Sequence, residues 1–415
     1  MNRYWCELAW LGGEAASESV LVGVDGESIA SVAAGVEAPD AAVRLPGLTL
    51  PGFANSHSHC FQRALRGRTE AAGRGSFWTW REQMYALAQA LDEPTYEALA
   101  RATFAEMALA GITLVGEFDY IHYSHAAIRA AAAAGIRITL IDACYLEGGL
   151  ARFRDASAAA WAERVQAIDP GVQARLGVAV HSVRAVDPGG IETVAALAAE
   201  RGWPLHAHVS EQPAENEECL RRYHCTPLEL LGRAGALSPR FTAVHATHFN
   251  DADAWSLAEA EAFCCLCPTT ERDLADGIGR PTSRLTLGSD SQSVIDIFEE
   301  ARAVELDRRL ATGVRGSHSA RELLLGATAN GHASLGWPEA GRIEAGAPAD
   351  LVTVSLAGPR LAGTRAQDAL PAVVFAASRE DISSVVAGGR QVVRDGAHLE
   401  IDVAGELHAA IAALP

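Results

Sequence analysis

The chain holds 415 residues, 49% of them hydrophobic and 21% charged, which suits a large globular core and excludes a disordered polymer. Its formal net charge of −18 argues against nucleic acid or an anionic membrane as a partner, since both are gripped by basic faces. No apolar run is long enough to span a bilayer, and Glu7 interrupts what would be the apolar stretch of an export signal; a cytoplasmic location with the eight cysteines reduced is expected.

In chain order, residues up to about 43 read as short strands with glycine turns, among them 18–24 and 28–33. Eight short, β-branched runs follow, at 48–55, 112–118, 136–143, 175–180, 204–208, 241–245, 262–267 and 284–288. Each ends in polar residues. The stretches between them, such as 96–110, the Ala-rich 126–134 and 191–201, read as helices. Eightfold strand–helix alternation predicts an α/β fold, a parallel (β/α)8 TIM barrel over residues 48–342. Beyond it, 342–352 reads as a turn entering a strand, and 382–386 and 391–393 flank Gly388-Gly389 as a hairpin. Residues 1–47 and 343–415 are expected to pair into one small β-sandwich domain beside the barrel.

One absence narrows the chemistry. All 34 residues counted as Lys plus Arg are arginine, so a lysine Schiff base, a P-loop lysine and a carboxylated-lysine bridge between two metals are excluded. Any anionic ligand must be held by local arginines against the overall field.

In such a barrel the reactive groups sit at the carboxyl ends of the strands. His57 and His59 follow the first strand, and residues two apart point the same way on extended backbone. His181 and Arg184 follow the fourth, His208 and Glu211 the fifth, His245 and His248 the sixth, and Asp290 the eighth. His57, His59, His208 and Asp290 form a ligand set for one divalent metal ion. Imidazole and carboxylate suit zinc, although iron or manganese can occupy the same ligands.

The pattern Pro51-Gly52-Phe53-x-Asn55-x-His57-x-His59, His208-x-x-Glu211, His245 and Ser289-Asp290 resembles the amidohydrolase superfamily in its deaminase-type branch, over essentially the whole chain. Residues 56–64, 77–82, 117–120, 181–186, 244–248 and 267–271 are similar to the formimidoylglutamate deiminases of histidine degradation. Those enzymes convert N-formimino-glutamate and water to N-formyl-glutamate and ammonia. The resemblance implies a zinc-dependent hydrolase, a small-molecule dicarboxylate substrate and a homodimer. It implies that Arg81, in the long loop after the first strand, and Arg184 hold the carboxylates with Gln62 and Tyr120, while His181 meets the reacting end. Guanidinium forks suit carboxylates.

The expected mechanism gives Asp290 a second task, taking the proton of the attacking water. Glu211, one helical turn past His208, shuttles that proton to the departing nitrogen, and His245 stabilises the tetrahedral intermediate. Asp119 and Gln292 stand where histidines are usual. The same metal residues would serve a deaminase of a purine, pterin or triazine ring, which would need stacking aromatics instead of arginines, or a non-catalytic scaffold on the same barrel.

Other residues take plainer readings. His206 reads as a core histidine, and His122, His125, His224 and His248 as loop residues. Cys264-Cys265-Leu266-Cys267 reads as core thiols, Trp78 and Trp80 as a packed lid, and Glu271 as an ordinary loop carboxylate. The Gly- and Arg-rich stretch 66–81 reads as a mobile cover.

Overall fold

The computed structural model describes residues 2–70, 75–282 and 284–414. Eight parallel strands pair in sequence order: β1 (Phe53–Ser58), β2 (Ile112–Asp119), β3 (Arg137–Cys144), β4 (Ala174–Val180), β5 (Leu205–Val209), β6 (Phe241–His245), β7 (Phe263–Leu266) and β8 (Arg284–Leu287). Helices flank the sheet, and every residue of β2 and β3 is buried, as strands covered on both faces must be. This is the TIM barrel that the alternation predicts. Among the described residues it closes from β8 to β1 through one backbone bridge, between Ser58 and Asp290. Asp290 N donates to His57 O and His59 N donates to Asp290 O, both at 3.0 Å.

The first expected strand, 48–55, is in fact two strands. Val43–Pro51 pairs with Asn2–Ala9 and Leu351–Val354 in the sheet made by the chain ends, whereas β1 opens the barrel. The change of sheet falls at Gly52, five residues beyond the expected boundary at 47/48. Gly52 N donates to Asp350 O at 2.9 Å, and the next amide, Phe53 N, donates to Gly111 O at 3.0 Å. A Cβ on Gly52 would sit 2.2 Å from Thr113 Oγ1, so the crossing demands glycine. The apolar run continues through the crossing, and hydropathy alone does not mark the break.

The terminal sheet has eight strands, ordered Ala397–His398, Arg390–Arg394, Ile382–Ala387, Leu351–Val354, Val43–Pro51, Asn2–Ala9, Ser17–Asp25, Ser28–Ala33. It curls over its own core: Val20, Val22, Val24 and Ile29 share one apolar cluster with Ile343, Ala347, Leu351 and Val386. The expected hairpin turns at Gly388 and Gly389, with φ of 56° and 75°, the left-handed pair that a two-residue turn requires. Arg137 of β3 pairs with buried Asp350, which also accepts Gly388 N at 2.8 Å and so ties the sheet to the barrel.

The expected helices are present as Glu93–Leu109, Ser124–Ala133 and Pro188–Arg201. Asp92 caps the first through Thr95 N, and Pro sits in its first turn. Arg81 is not on a loop. It lies on the helix Phe77–Ala90, started by a capping box between Ser76 and Thr79. The aromatic opening Phe77-Trp78-Thr79-Trp80 has poor helix propensity, which masks it in the sequence. Part of the expected cover over 66–81, residues 71–74, lies outside the described residues. The eight cysteines are free and buried. No helix among the described residues is long and apolar enough to cross a membrane.

Candidate active site

The barrel mouth gathers the expected residues from distant parts of the chain. His57, His59, His208, His245 and Asp290 are all buried. His57 Nε2 lies 3.3 Å and His59 Nε2 3.4 Å from Asp290 Oδ1. His208 Nε2 is 3.1 Å from His57 Nε2. His245 Nε2 stands 3.8 Å from Asp290 Oδ2 and 3.7 Å from Glu211 Oε1. The turns that present these groups are forced: Ser210, His245, Ala246, Asp290 and Gln292 all have left-handed backbone, with φ between 43° and 70°. Such conformations are costly for residues with a Cβ and collect where strand ends must aim side chains. Glu211 reaches the mouth by the kink at Ser210 rather than by helical spacing, since the helix Pro213–Tyr223 starts after it.

Tautomers follow from the neighbours. His59 Nδ1 faces the Phe118 carbonyl at 3.1 Å and His208 Nδ1 the His181 carbonyl at 2.9 Å. A carbonyl only accepts, so each Nδ1 carries the proton and each Nε2 presents a lone pair. Burial pushes the His57 imidazole down to about 3 and lowers His59, His208 and His181. Burial would raise Asp290, but the hydrogen bond with His57 and the neighbouring rings outweigh it and hold the carboxyl well below its ordinary range. Neutral imidazole lone pairs converging on an ionised carboxylate are the donor set a divalent cation needs. The ligand atoms of His57, His59 and Asp290 lie within 4.8 Å of one another, as do those of His57, His208 and His245. His208 Nε2, which carries no proton, lies 3.1 Å from His57 Nε2, and a cation between the two rings and Asp290 would satisfy them together.

His245 differs. Burial opposes its charge, yet the carboxylates of Glu211, Glu271 and Asp290 raise its basicity well above that of free imidazole. Glu271, read from sequence as an ordinary loop residue, is a buried member of this group on the short helix Pro268–Asp273. Its Oε1 accepts Cys267 N at 2.9 Å and lies 3.5 Å from His245 Nδ1.

A cavity of about 260 Å³ opens onto this cluster. Gln62, Arg81, Tyr120, His181 and Arg184 all line it, together with His59, His208, Glu211, His245 and Asp290. Gln62 Nε2 donates to Tyr120 Oη at 3.1 Å, and Gln62 Oε1 has no hydrogen-bond partner among the described residues. Arg184 Nη2 donates to Glu211 Oε2 at 3.1 Å. The buried Nε atoms of Arg81 and Arg184 make no hydrogen bond among the described residues, although Arg184 Nε lies 3.4 Å from Glu215 Oε2. Trp78 and Trp80 line the cavity rather than only cover it, and the Arg81 guanidinium sits 4.6 Å from the Trp78 ring centre. Sequence reading passed over Tyr85, Tyr145 and Phe153 in the same wall.

The two departures have structural partners. Asp119 accepts Ile121 N, His122 N and Ser124 Oγ, which caps the turn leaving β2. Gln292 bonds the Asp290 turn. His206 is fully buried and bonds the Ser334 carbonyl at 3.1 Å, and His248 bonds the Asp276 carbonyl at 2.9 Å.

The profile of the amidohydrolase family matches residues 48–392. The chain belongs to that family. This amidohydrolase is 36% identical, over 86% of its own length and 87% of the relative's, to a formimidoylglutamate deiminase of Pseudomonas aeruginosa. It is 29% identical, over 84% and 80% of the two chains, to a 5'-deoxyadenosine deaminase of Methanoregula boonei. An amidohydrolase crystal structure from Brucella melitensis superposes with a TM-score of 0.91 at 30% identity and covers 99% of each chain. The fold is shared at 22% identity and a TM-score of 0.89, over 99% of this chain and 100% of the other, with an atrazine chlorohydrolase variant of Arthrobacter aurescens complexed with zinc.

Proposed function

We propose that this amidohydrolase hydrolyses N-formimino-L-glutamate to N-formyl-L-glutamate and ammonia, using one zinc ion held by His57, His59, His208 and Asp290. The observation that carries the reading is the composition of one cavity wall. Two guanidiniums, Arg81 with a buried Nε that makes no hydrogen bond among the described residues and Arg184 held beside Glu211 and Glu215, face the same space as the neutral imidazoles of His59, His181 and His208. A dicarboxylate with an amidine head has the two kinds of end that such a space would select. The 36% identity to a formimidoylglutamate deiminase supports this substrate, and zinc in a structural relative supports the ion.

A zinc ion held by His57, His59, His208 and Asp290 would supply Lewis acidity, which lowers the pKa of bound water to about 7. The remaining work falls to side chains. Asp290 Oδ2 accepts a proton from the attacking water. The water oxygen adds to the formimino carbon, and the C=N bond becomes single as the nitrogen gains a proton. His245, whose basicity the carboxylates around it raise, stabilises the charge that develops on that oxygen. Glu211 carries that first proton from Asp290 to the nitrogen, giving an amino-alcohol carbon; the hydroxyl proton then passes to the same nitrogen as the C–N bond breaks, so that the C=O bond forms and ammonia departs. The balance is N–CH=NH plus water giving N–CH=O plus ammonia. Arg81 and Arg184 hold the two carboxylates, Gln62 and Tyr120 align the chain between, and His181 borders the amidine.

Ammonia release measured on formimino-glutamate beside guanine and adenosine derivatives tests the proposal. Release from formimino-glutamate alone is expected. Release from a purine with none from formimino-glutamate would replace it with a ring deaminase.

A further inference from the structure

Gln292 is wholly buried and spends its entire amide on the strand ends that carry the candidate metal ligands. Its Nε2 donates to the Asp290 carbonyl at 2.7 Å and to Ser58 Oγ at 3.0 Å, while its Oε1 accepts from Ser289 Oγ at 2.7 Å. Its own carbonyl accepts Arg66 Nε at 2.8 Å.

The direction of this chain of bonds is determined from both ends. Asn55 Oδ1 accepts Ser289 N at 3.0 Å, so Asn55 Nδ2 is the atom that donates to Ser289 Oγ, at 2.7 Å. Ser289 Oγ must then donate onward to Gln292 Oε1. That turns Gln292 Nε2 toward the Asp290 carbonyl, which can only accept. At the far end Ser58 Oγ donates to Glu117 Oε2 at 2.6 Å, and Glu117 Oε1 accepts Cys60 N at 2.8 Å. Asn55, Ser289, Gln292, Ser58 and Glu117 therefore form one polar chain through β1, β2 and the turn after β8. It runs beside the Ser58–Asp290 bridge, the one backbone pairing among the described residues that closes the barrel.

Asp290 and Gln292 have φ of 43° and 61°, backbone that a residue with a Cβ holds only when its surroundings fix it. We infer that Gln292 is a positioning residue: its amide locks the Asp290 turn onto β1, and so sets the affinity of the site that His57, His59, His208 and Asp290 form. The inference rests on the metal reading above. It assigns Gln292 no contact with substrate.

Gln292→Met keeps the volume and removes all three side-chain bonds. Zinc affinity is measured on the purified enzyme by competition with a chelator, together with the melting temperature of the zinc-free protein and kcat and KM at saturating zinc. The affinity is expected to fall about 10- to 100-fold, the range for lost partners of metal ligands. KM for formimino-glutamate is expected to stay unchanged. Ser58→Ala, a gentler cut in the same chain, should give a smaller fall, and the double variant should be no worse than Gln292→Met alone, because the bonds act as one unit. Wild-type zinc affinity in Gln292→Met, even with a lowered melting temperature, would overturn the inference and make Gln292 an ordinary core amide. Additive losses in the double variant would also overturn it. A wild-type chain that takes up no zinc would instead overturn the metal reading on which it rests.

Discussion

Two sets of histidines are buried in this barrel, and only one set aims at a common point. His206 and His332 are fully enclosed, and burial pushes both imidazoles down to about 4. Each bonds one backbone carbonyl, Ser334 O at 3.1 Å and Thr328 O at 2.9 Å. His59 and His208 are also buried, also neutral, and bond carbonyls in the same way. The difference lies in the second nitrogen. At the mouth it meets other site groups, His59 Nε2 facing Asp290 and His208 Nε2 facing His57 Nε2, whereas His206 Nδ1 and His332 Nε2 meet no hydrogen-bond partner among the described residues. Burial and neutrality are therefore common to core and site. Convergence on a carboxylate distinguishes the site.

The sharpest way to break this contrast is Asp290→Ala, which removes the charge that the mouth imidazoles face. Zinc content by elemental analysis should fall to background and turnover should vanish, while the same analysis on His206→Gln should read as wild type. Glu211→Gln separates proton transfer from metal binding. Steady-state ammonia release should drop about 10²- to 10⁴-fold with zinc retained. Near-normal turnover in that variant would remove Glu211 from the proton path. Arg184→Ala should act on capture, raising KM about tenfold or more through the loss of a charge-assisted hydrogen bond, with zinc content unchanged.

The smallest effect concerns the core set. His206 protonates near 4 when folded and at about 6.5 when unfolded, so between those values the unfolded chain holds more protons, and stability rises with pH and is lost on acidification. At pH 5 this one group removes on the order of 2 kcal/mol relative to pH 8. Urea unfolding of His206→Gln should show an acid-side loss shallower than wild type by about that amount. Equal slopes would mean that the ring is not held neutral.

Strands β2 to β8 were legible because each is a short apolar run ending in polar residues, and the period of the alternation is long enough to count. The histidines and Asp290 were legible because they recur at those ends. What escaped the sequence has physical causes. Gly52 passes the chain between two sheets without interrupting hydropathy. The helix Phe77–Ala90 opens on aromatics that disguise it and place Arg81. Glu271 enters the site from a six-residue helix, too short for any periodic signal. Tyr85, Tyr145 and Phe153 meet in one wall although separate elements carry them, and only the tertiary fold brings them together. The part played by Gln292 depends on bonds to Ser58 and Ser289 across the barrel seam, one of them 234 positions away.

Anomalous diffraction from a zinc-soaked crystal tests the convergence most directly. The account predicts one peak per chain within about 2.0–2.2 Å of the Nε2 atoms of His57, His59 and His208 and of a carboxylate oxygen of Asp290. A peak elsewhere, or one that leaves Asp290 beyond bonding distance, would contradict it.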